Sequence, residues 1–253
     1  MMHHKLPFDK IHACGNDFIL LSEIDLQHTQ IVAMCKRRHG LGADGIMVFA
    51  GCDGNRIRLD HYDSDGSRSF CLNGIRAALA CLHKKDLIPG TGLVSSEGVN
   101  LDYKVAAHVQ ITLPVKSVEW LGLEVGETTV HGYYCDVGNP QFVITESMPD
   151  DQFTRLAPQL RHHAHFPDGA NINLVRSTEN NWRIRSFERG VEEFTRACGS
   201  GMYAAANVLF CKTEQTSLLF VPDGQGLVRV IKKDDENMVL EGPTHHVASG
   251  EWL

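Results

Sequence analysis

The sequence predicts an α/β (α+β) protein built twice over, with strands gathered around one cysteine-headed helix in each half. Three observations carry that expectation. Cys71-Leu-Asn-Gly74-Ile-Arg-Ala-Ala78 and Cys198-Gly-Ser-Gly201-Met-Tyr-Ala-Ala205 both read Cys-x-[Asn/Ser]-Gly-apolar-x-Ala-Ala, about half the chain apart. An alternating stretch ending in an aromatic residue and an acid precedes each copy, followed by a glycine turn. These are Arg56–Asp63 before Gly66, and Trp182–Glu188 before Gly190. Most of the remaining chain reads as short strands punctuated by Gly, Asn and Asp.

Taken in order, residues 7–21 predict two strands broken by the turn Cys14-Gly15-Asn16-Asp17, since Gly and Asn tolerate positive φ. Asn16 could also offer its amide to a ligand, but a turn is the plainer reading. Residues 28–38 predict a short polar helix. Gly40-Leu-Gly-Ala-Asp-Gly45 matches G-x-G-x-x-G, yet a basic run precedes it and the strand-like Ile46-Met-Val-Phe49 follows. A dinucleotide fingerprint needs a strand before and a helix after, so no NAD site is expected. Cys52-Asp-Gly-Asn55 is a hairpin turn. After Cys71, residues Ile75, Ala78, Leu79 and Leu82 recur at helical spacing, with Lys84-Lys85 suiting the helix C-terminus. Pro89-Gly-Thr-Gly92 ends that element. Residues 93–115 alternate as short strands, with a turn near Gly98.

The second half predicts strands at 119–125 and 129–137, the turn Gly138-Asn139-Pro140, a strand at 141–145 and an amphipathic helix at 150–160. Arg161-His-His-Ala-His165 invites a metal reading. No Cys/His/carboxylate set at ligand spacing completes it, so a solvated loop and no metal are expected. A strand at 171–175 leads into the second cysteine unit, and turns at 222–224 and 234–237 separate closing strands. The expected division is 1–115 and 116–253, with residues 243–253 able to pack back on the first half.

With 253 residues, 43% of them hydrophobic, the chain can bury a sizeable core. A net charge of −7 gives no electrostatic footprint for nucleic acid. No window is apolar enough to span a membrane and the N-terminus carries no signal-peptide core, so a soluble cytoplasmic protein is expected. Eight cysteines without a CxxC pair suggest buried thiols rather than a zinc ribbon or disulfide framework.

The two repeated cysteines are the candidates for chemistry. A helix start has unpaired N–H groups and the positive end of the dipole, which together favour thiolate over thiol. The bland reading of either copy is a buried structural cysteine. Two matched copies, one per half, favour the chemical reading.

The chain resembles the diaminopimelate epimerase family of pyridoxal-phosphate-independent racemases and epimerases over nearly its full length. The resemblance rests on Gly15-Asn-Asp-Phe18, Gly42-Ala-Asp-Gly45, Ser64-Asp-Gly-Ser67, Cys71 with Asn73-Gly74, Gly138-Asn-Pro140, Asn171, Glu188-Arg-Gly-Val191, Ala197-Cys-Gly-Ser-Gly201 and Glu241-Gly-Pro243. It implies two pseudo-symmetric domains, each a curved, mostly antiparallel sheet wrapped on a central helix. It also implies a cleft site, a homodimer, a small amino-acid substrate and no cofactor. Cys71 and Cys198 match the family's base and acid. Asn16, Asn139, Asn171, Glu188 and Arg189 match its substrate contacts, while Asn73, Gly74, Gly199 and Ser200 lie at the helix starts near the reacting carboxylate. The implied activity is interconversion of LL- and meso-diaminopimelate. The alternative is a sibling racemase acting on histidine, lysine or glutamate.

The chain departs from the family pattern in places. Asp63 stands where the family usually has Asn, which would make the distal pocket more acidic. Gln141 stands where it usually has His, removing a possible proton-relay partner. Leu72 replaces a Gly, Cys14 sits in a loop normally without it, and Phe194 takes a usually acidic place after an extra Glu. A binding protein that had lost turnover would need neither thiol. A thiol hydrolase or redox enzyme would need a supporting His, and none lies close in sequence to either cysteine.

Overall fold

The computed structural model describes residues 5–22, 25–224 and 226–253. The chain forms two compact units, Met1–Thr112 with Glu241–Leu253, and Leu113–Leu240.

In the first unit, β1 (Leu6–Ala13) and β2 (Asn16–Ser22) form a hairpin through Cys14 and Gly15, whose φ angles are 54° and 87°. Two successive positive φ values suit a tight hairpin, and at Cys14 a non-glycine residue carries the strain. The chain then crosses through α1 (His28–Cys35) to β3 (Gly45–Asp53), parallel to β2. The helix stops short of residue 38. Lys36 is already extended, and Gly40 turns back so tightly that a Cβ there would lie 2.1 Å from the Ala33 carbonyl. β4 (Arg56–Asp63) runs antiparallel to β3, and α2 (Leu72–Lys84) crosses to β5 (Thr91–Ser96), parallel to β4. Antiparallel β6 (Val99–Val105) and β7 (Val109–Pro114) follow.

The second unit repeats this order. β8 (Glu119–Val125) and β9 (Thr128–Asp136) form a hairpin, and β10 (Pro140–Ile144) pairs antiparallel with β9. α3 (Asp150–Arg161) crosses to β11 (Asn171–Ser177), parallel to β10, and β12 (Trp182–Glu188) returns antiparallel. After a short β13 (Glu193–Thr195), α4 (Gly199–Lys212) crosses to β14 (Ser217–Pro222), parallel to β12. β15 (Val228–Lys232) and β16 (Asn237–Gly242) close the unit. β17 (Thr244–Trp252) pairs antiparallel with β1 in the first. Each unit therefore runs antiparallel pair, helix crossover to a parallel strand, antiparallel pair, cysteine-helix crossover to a parallel strand. The duplication lies in the topology as well as in the sequence.

The second helix of each unit is its core. Leu72–Leu79, Cys81 and Leu82 of α2 are buried, as is every residue of α4 from Gly199 to Leu209. A helix buried all round must be wrapped rather than laid on a surface. α2 packs against β1, β2, β3, β6 and β17, and α4 against β9, β10, β11 and β15. Runs of alanine let strands approach closely, while Ile75, Leu79 and Leu82 each contribute about 1.5–3 kcal/mol by burial. β13 is a short strand that the sequence pattern hides in a turn. Its Phe194 packs against the rings of Phe187 and Phe153, at 5.2 and 5.5 Å between centroids. Among the described residues no helix is long and apolar enough to cross a membrane.

Candidate active site

Each unit presents its cysteine as the N-cap of its buried helix, with extended backbone at Cys71 (φ −134°) and Cys198 (φ −108°). The residues around the two thiols differ.

In the first unit, Cys71 is half-buried and its Sγ stands 4.0 Å from Asn16 Oδ1. Asn16 is held from both sides: its Nδ2 donates to Asp44 Oδ2 (2.8 Å), and its Oδ1 accepts from Asn73 Nδ2 (3.2 Å). Asn73 in turn accepts a 3.0 Å bond from Arg76, whose other terminal nitrogen donates to the Gly242 carbonyl at 2.8 Å. Arg76 is wholly buried, and burial works against its charge, while the neighbouring sulfurs of Cys14 and Cys71 work the other way. A Cβ on Gly74 would meet Met47 Sδ at 2.5 Å, so any side chain there needs Met47 to shift. Asp63 ends β4 opposite Gly45, and its backbone closes the turn to Ser67 and Gly66. Asp44 and Arg76 lay inside motifs noted in the sequence without a role; the fold makes one an anchor for Asn16 and the other for Asn73. Nearby, burial opposes ionisation of Asp17, but bonds and charges from Arg37 and Lys10 outweigh it and hold the carboxyl at about 2.

In the second unit, Cys198 is buried. Its Sγ accepts from Gly201 N (3.3 Å) and lies 3.4 Å from Ser200 Oγ. Burial pushes its thiol well above the ordinary range, and the Glu188 carboxylate, hydrogen-bonded to it, pushes the same way. The sequence expectation that a helix start favours thiolate is corrected here. Desolvation and a neighbouring anion outweigh the bonds from Ser200 and Gly201. Glu188 ends β12 and also accepts from Thr195 Oγ1. Asn171 begins β11 and accepts from the Arg189 backbone N–H at 2.7 Å. The Arg189 side chain is exposed and reaches the Asp168 carbonyl at 3.4 Å. Asn139 accepts from Gln141 Nε2 (2.7 Å) and donates to Ser200 Oγ (3.4 Å). Gly199 and Ser200 form the first turn of α4, where helical N–H groups lack intrahelical partners.

Two sequence temptations resolve locally. The Gly40–Gly45 loop runs into strand β3, not into a helix. In the histidine run, His162 meets Glu192 at 3.1 Å and His163 faces the Glu124 carbonyl at 3.2 Å. Among the described residues, sequence spacing missed one donor set, Asp9, Cys81 and His246, whose ligand atoms lie within 4.8 Å of one another. Asp9 is already paired with the Lys85 ammonium and accepts from Ser249 at 2.6 Å, so a cation there would have to displace Lys85.

The sequence pattern described as diaminopimelate epimerase matches residues 133–247. A diaminopimelate epimerase from Chlorobaculum tepidum is 32% identical, across 93% of this chain and 97% of its own. The chain belongs to the diaminopimelate epimerase family. As a member of that family it is an isomerase. The fold is shared with solved structures of far lower identity. A PhzF-family phenazine biosynthesis protein from Enterococcus faecalis has TM-score 0.75 and 14% identity, covering 98% of this chain and 99% of that one. A hydroxyproline epimerase from Agrobacterium vitis has TM-score 0.69 and 10% identity, covering 99% and 93%.

Proposed function

We propose that this member of the diaminopimelate epimerase family interconverts LL- and meso-diaminopimelate by a cofactor-independent, two-base mechanism using Cys71 and Cys198. The observation that carries the reading is the matched pair of thiols, each the N-cap of a buried helix in a duplicated unit. Full-length similarity to a diaminopimelate epimerase supports the substrate. Inverting an α-carbon means taking a proton from one face and adding one to the other, and a single base tends to return what it took. One cysteine acts as thiolate and removes the Cα proton, while the other acts as thiol and delivers its proton to the opposite face. The charge that builds on the substrate carboxylate meets first-turn N–H groups at Gly74, Gly199 and Ser200. Asn16, Asp63, Asn73, Asn139, Asn171, Glu188 and Arg189 hold the substrate. A homodimer working in the cytoplasm completes the reading.

The test supplies LL-diaminopimelate, L-histidine, L-lysine and L-glutamate separately to purified protein and follows each by chiral chromatography. Meso-diaminopimelate should accumulate toward equilibrium while the other three stay unchanged. Inversion of one of those three, with diaminopimelate inert, would overturn the substrate assignment.

A further inference from the structure

Beside Cys198 lies a chain of buried and half-buried side chains whose hydrogen bonds all run one way. Asn173, fully buried in β11, accepts from Ser186 Oγ (2.7 Å), and its Nδ2 donates to Gln141 Oε1 (2.9 Å). That bond fixes the Gln141 amide with its nitrogen facing the other way. Gln141 Nε2 then donates both hydrogens, one to Asn139 Oδ1 (2.7 Å) and one to Ser200 Oγ (3.1 Å). Asn139 Nδ2 supplies a second donor to Ser200 Oγ at 3.4 Å. A hydroxyl oxygen has two acceptor sites and one hydrogen. Both acceptor sites of Ser200 are taken by amide N–H groups, so its hydrogen is left for the sulfur of Cys198, 3.4 Å away.

We propose that Gln141 is a positioning residue for Cys198: by filling the acceptor sites of Ser200 it aims the serine hydroxyl at the sulfur and stabilises the thiolate formed in turnover. This deepens the proposed function and rests on it. The charged group facing Cys198 is Glu188 of β12, which takes a hydrogen bond from the thiol and opposes its ionisation. The hydroxyl from Ser200 and the N–H of Gly201 act the opposite way, and both come from the helix that Cys198 caps. An amide at position 141 directs this set without titrating. A carboxylate there would accept the Ser200 hydrogen and turn it off the sulfur.

The test measures the rate at which iodoacetamide modifies Cys198 at neutral pH, followed by peptide mass mapping. No substrate is involved, so the result stands whether or not diaminopimelate is turned over. The reagent reacts with thiolate, so a rise of one unit in the thiol pKa slows the reaction about tenfold. Loosened packing would instead speed it by opening access. Ser200→Ala and Gln141→Glu should each slow modification about tenfold. The double variant Ser200→Ala with Gln141→Met, which brings no charge of its own, should be no slower than Ser200→Ala alone, because Gln141 acts through Ser200. Gln141→His, whose ring N–H can still donate to Ser200, should recover the wild-type rate. If Gln141→Glu does not fold, Gln141→Met removes the donors at similar volume and should give the same slowing. Unchanged or faster modification in Gln141→Glu and Gln141→Met, or additive slowing in the double variant, would overturn the proposal.

Discussion

The two cysteine-helix units share a sequence pattern, a topology and an N-cap geometry, yet they place their sulfurs in opposite electrical settings. Behind Cys71 stands a buried guanidinium, Arg76, which interacts with the Cys14 and Cys71 sulfurs. Beside Cys198 stands a carboxylate, Glu188, and burial adds to its effect. Cys71 is half-buried and faces an amide oxygen held by Asp44 and Asn73, whereas Cys198 is buried and faces donors from its own helix. Duplication supplied two equivalent scaffolds, and side chains at the variable positions of the repeat (Arg76) and outside it (Glu188) made the two ends unequal. Such an inequality suits a pair in which one group gives a proton while the other takes one.

The largest expected effect tests whether both ends are needed. Cys71→Ala and Cys198→Ala should each lower epimerisation about 10³-fold, with circular dichroism unchanged. Retention of wild-type rate in either would remove that cysteine from the mechanism. Next comes the cation on the Cys71 side. Arg76→Met strips the donors from the Gly242 carbonyl and Asn73 Oδ1 and should lower unfolding stability by about 3 kcal/mol in urea titrations. The exposed Arg189→Met should change it by less than about 0.5 kcal/mol, and equal losses would mean that burial does not separate the two arginines.

The equivalent glycines of the repeated pattern sharpen the contrast further. A Cβ on Gly201 would lie 2.2 Å from Asn173 Oδ1, an atom locked by Ser186, whereas a Cβ on Gly74 meets the flexible end of Met47 at 2.5 Å. Gly201→Ala should therefore cost about 3 kcal/mol and Gly74→Ala about 1 kcal/mol, read from chemical denaturation. The reverse order would show that the Asn173 network yields more easily than Met47.

The last effect is pH-linked and belongs to the first unit. Asp17 titrates at about 2 in the folded protein, below its ordinary value, so the unfolded chain takes up its proton first as pH falls. The stabilisation is complete above about pH 4 and is lost as pH drops toward 2. Asp17→Asn should thus cost about 1–2 kcal/mol at neutral pH, with the difference from wild type shrinking through that window. A cost that stays constant down to pH 2 would contradict the ion pairing with Lys10 and Arg37.

Much of the fold was legible because its signals are local. The Cys-x-x-Gly repeats, the strand Glu119–Val125 and the hairpin turn at Cys14-Gly15 follow from patterns a few residues long. β13 was not legible, since its strand character comes from Phe194 packing on Phe153 and Phe187, which are distant in sequence. The candidate site residues could be named from motifs, but their partners could not. Nothing near Gln141 in sequence announces Ser200 or Asn173, and nothing near Arg76 announces Gly242. The thiolate expected at Cys198 failed for the same reason. The dipole of its helix is a local fact, whereas burial and Glu188 arrive with the tertiary fold.

The most direct test of two thiols serving one carbon is a short incubation of LL-diaminopimelate in D₂O, stopped at low conversion and resolved by stereoisomer and isotope. Two bases predict meso product carrying deuterium at the inverted carbon while unreacted LL substrate keeps its hydrogen. Meso product that retains the substrate's own hydrogen would mean that one group carries the proton from face to face, and would contradict the account.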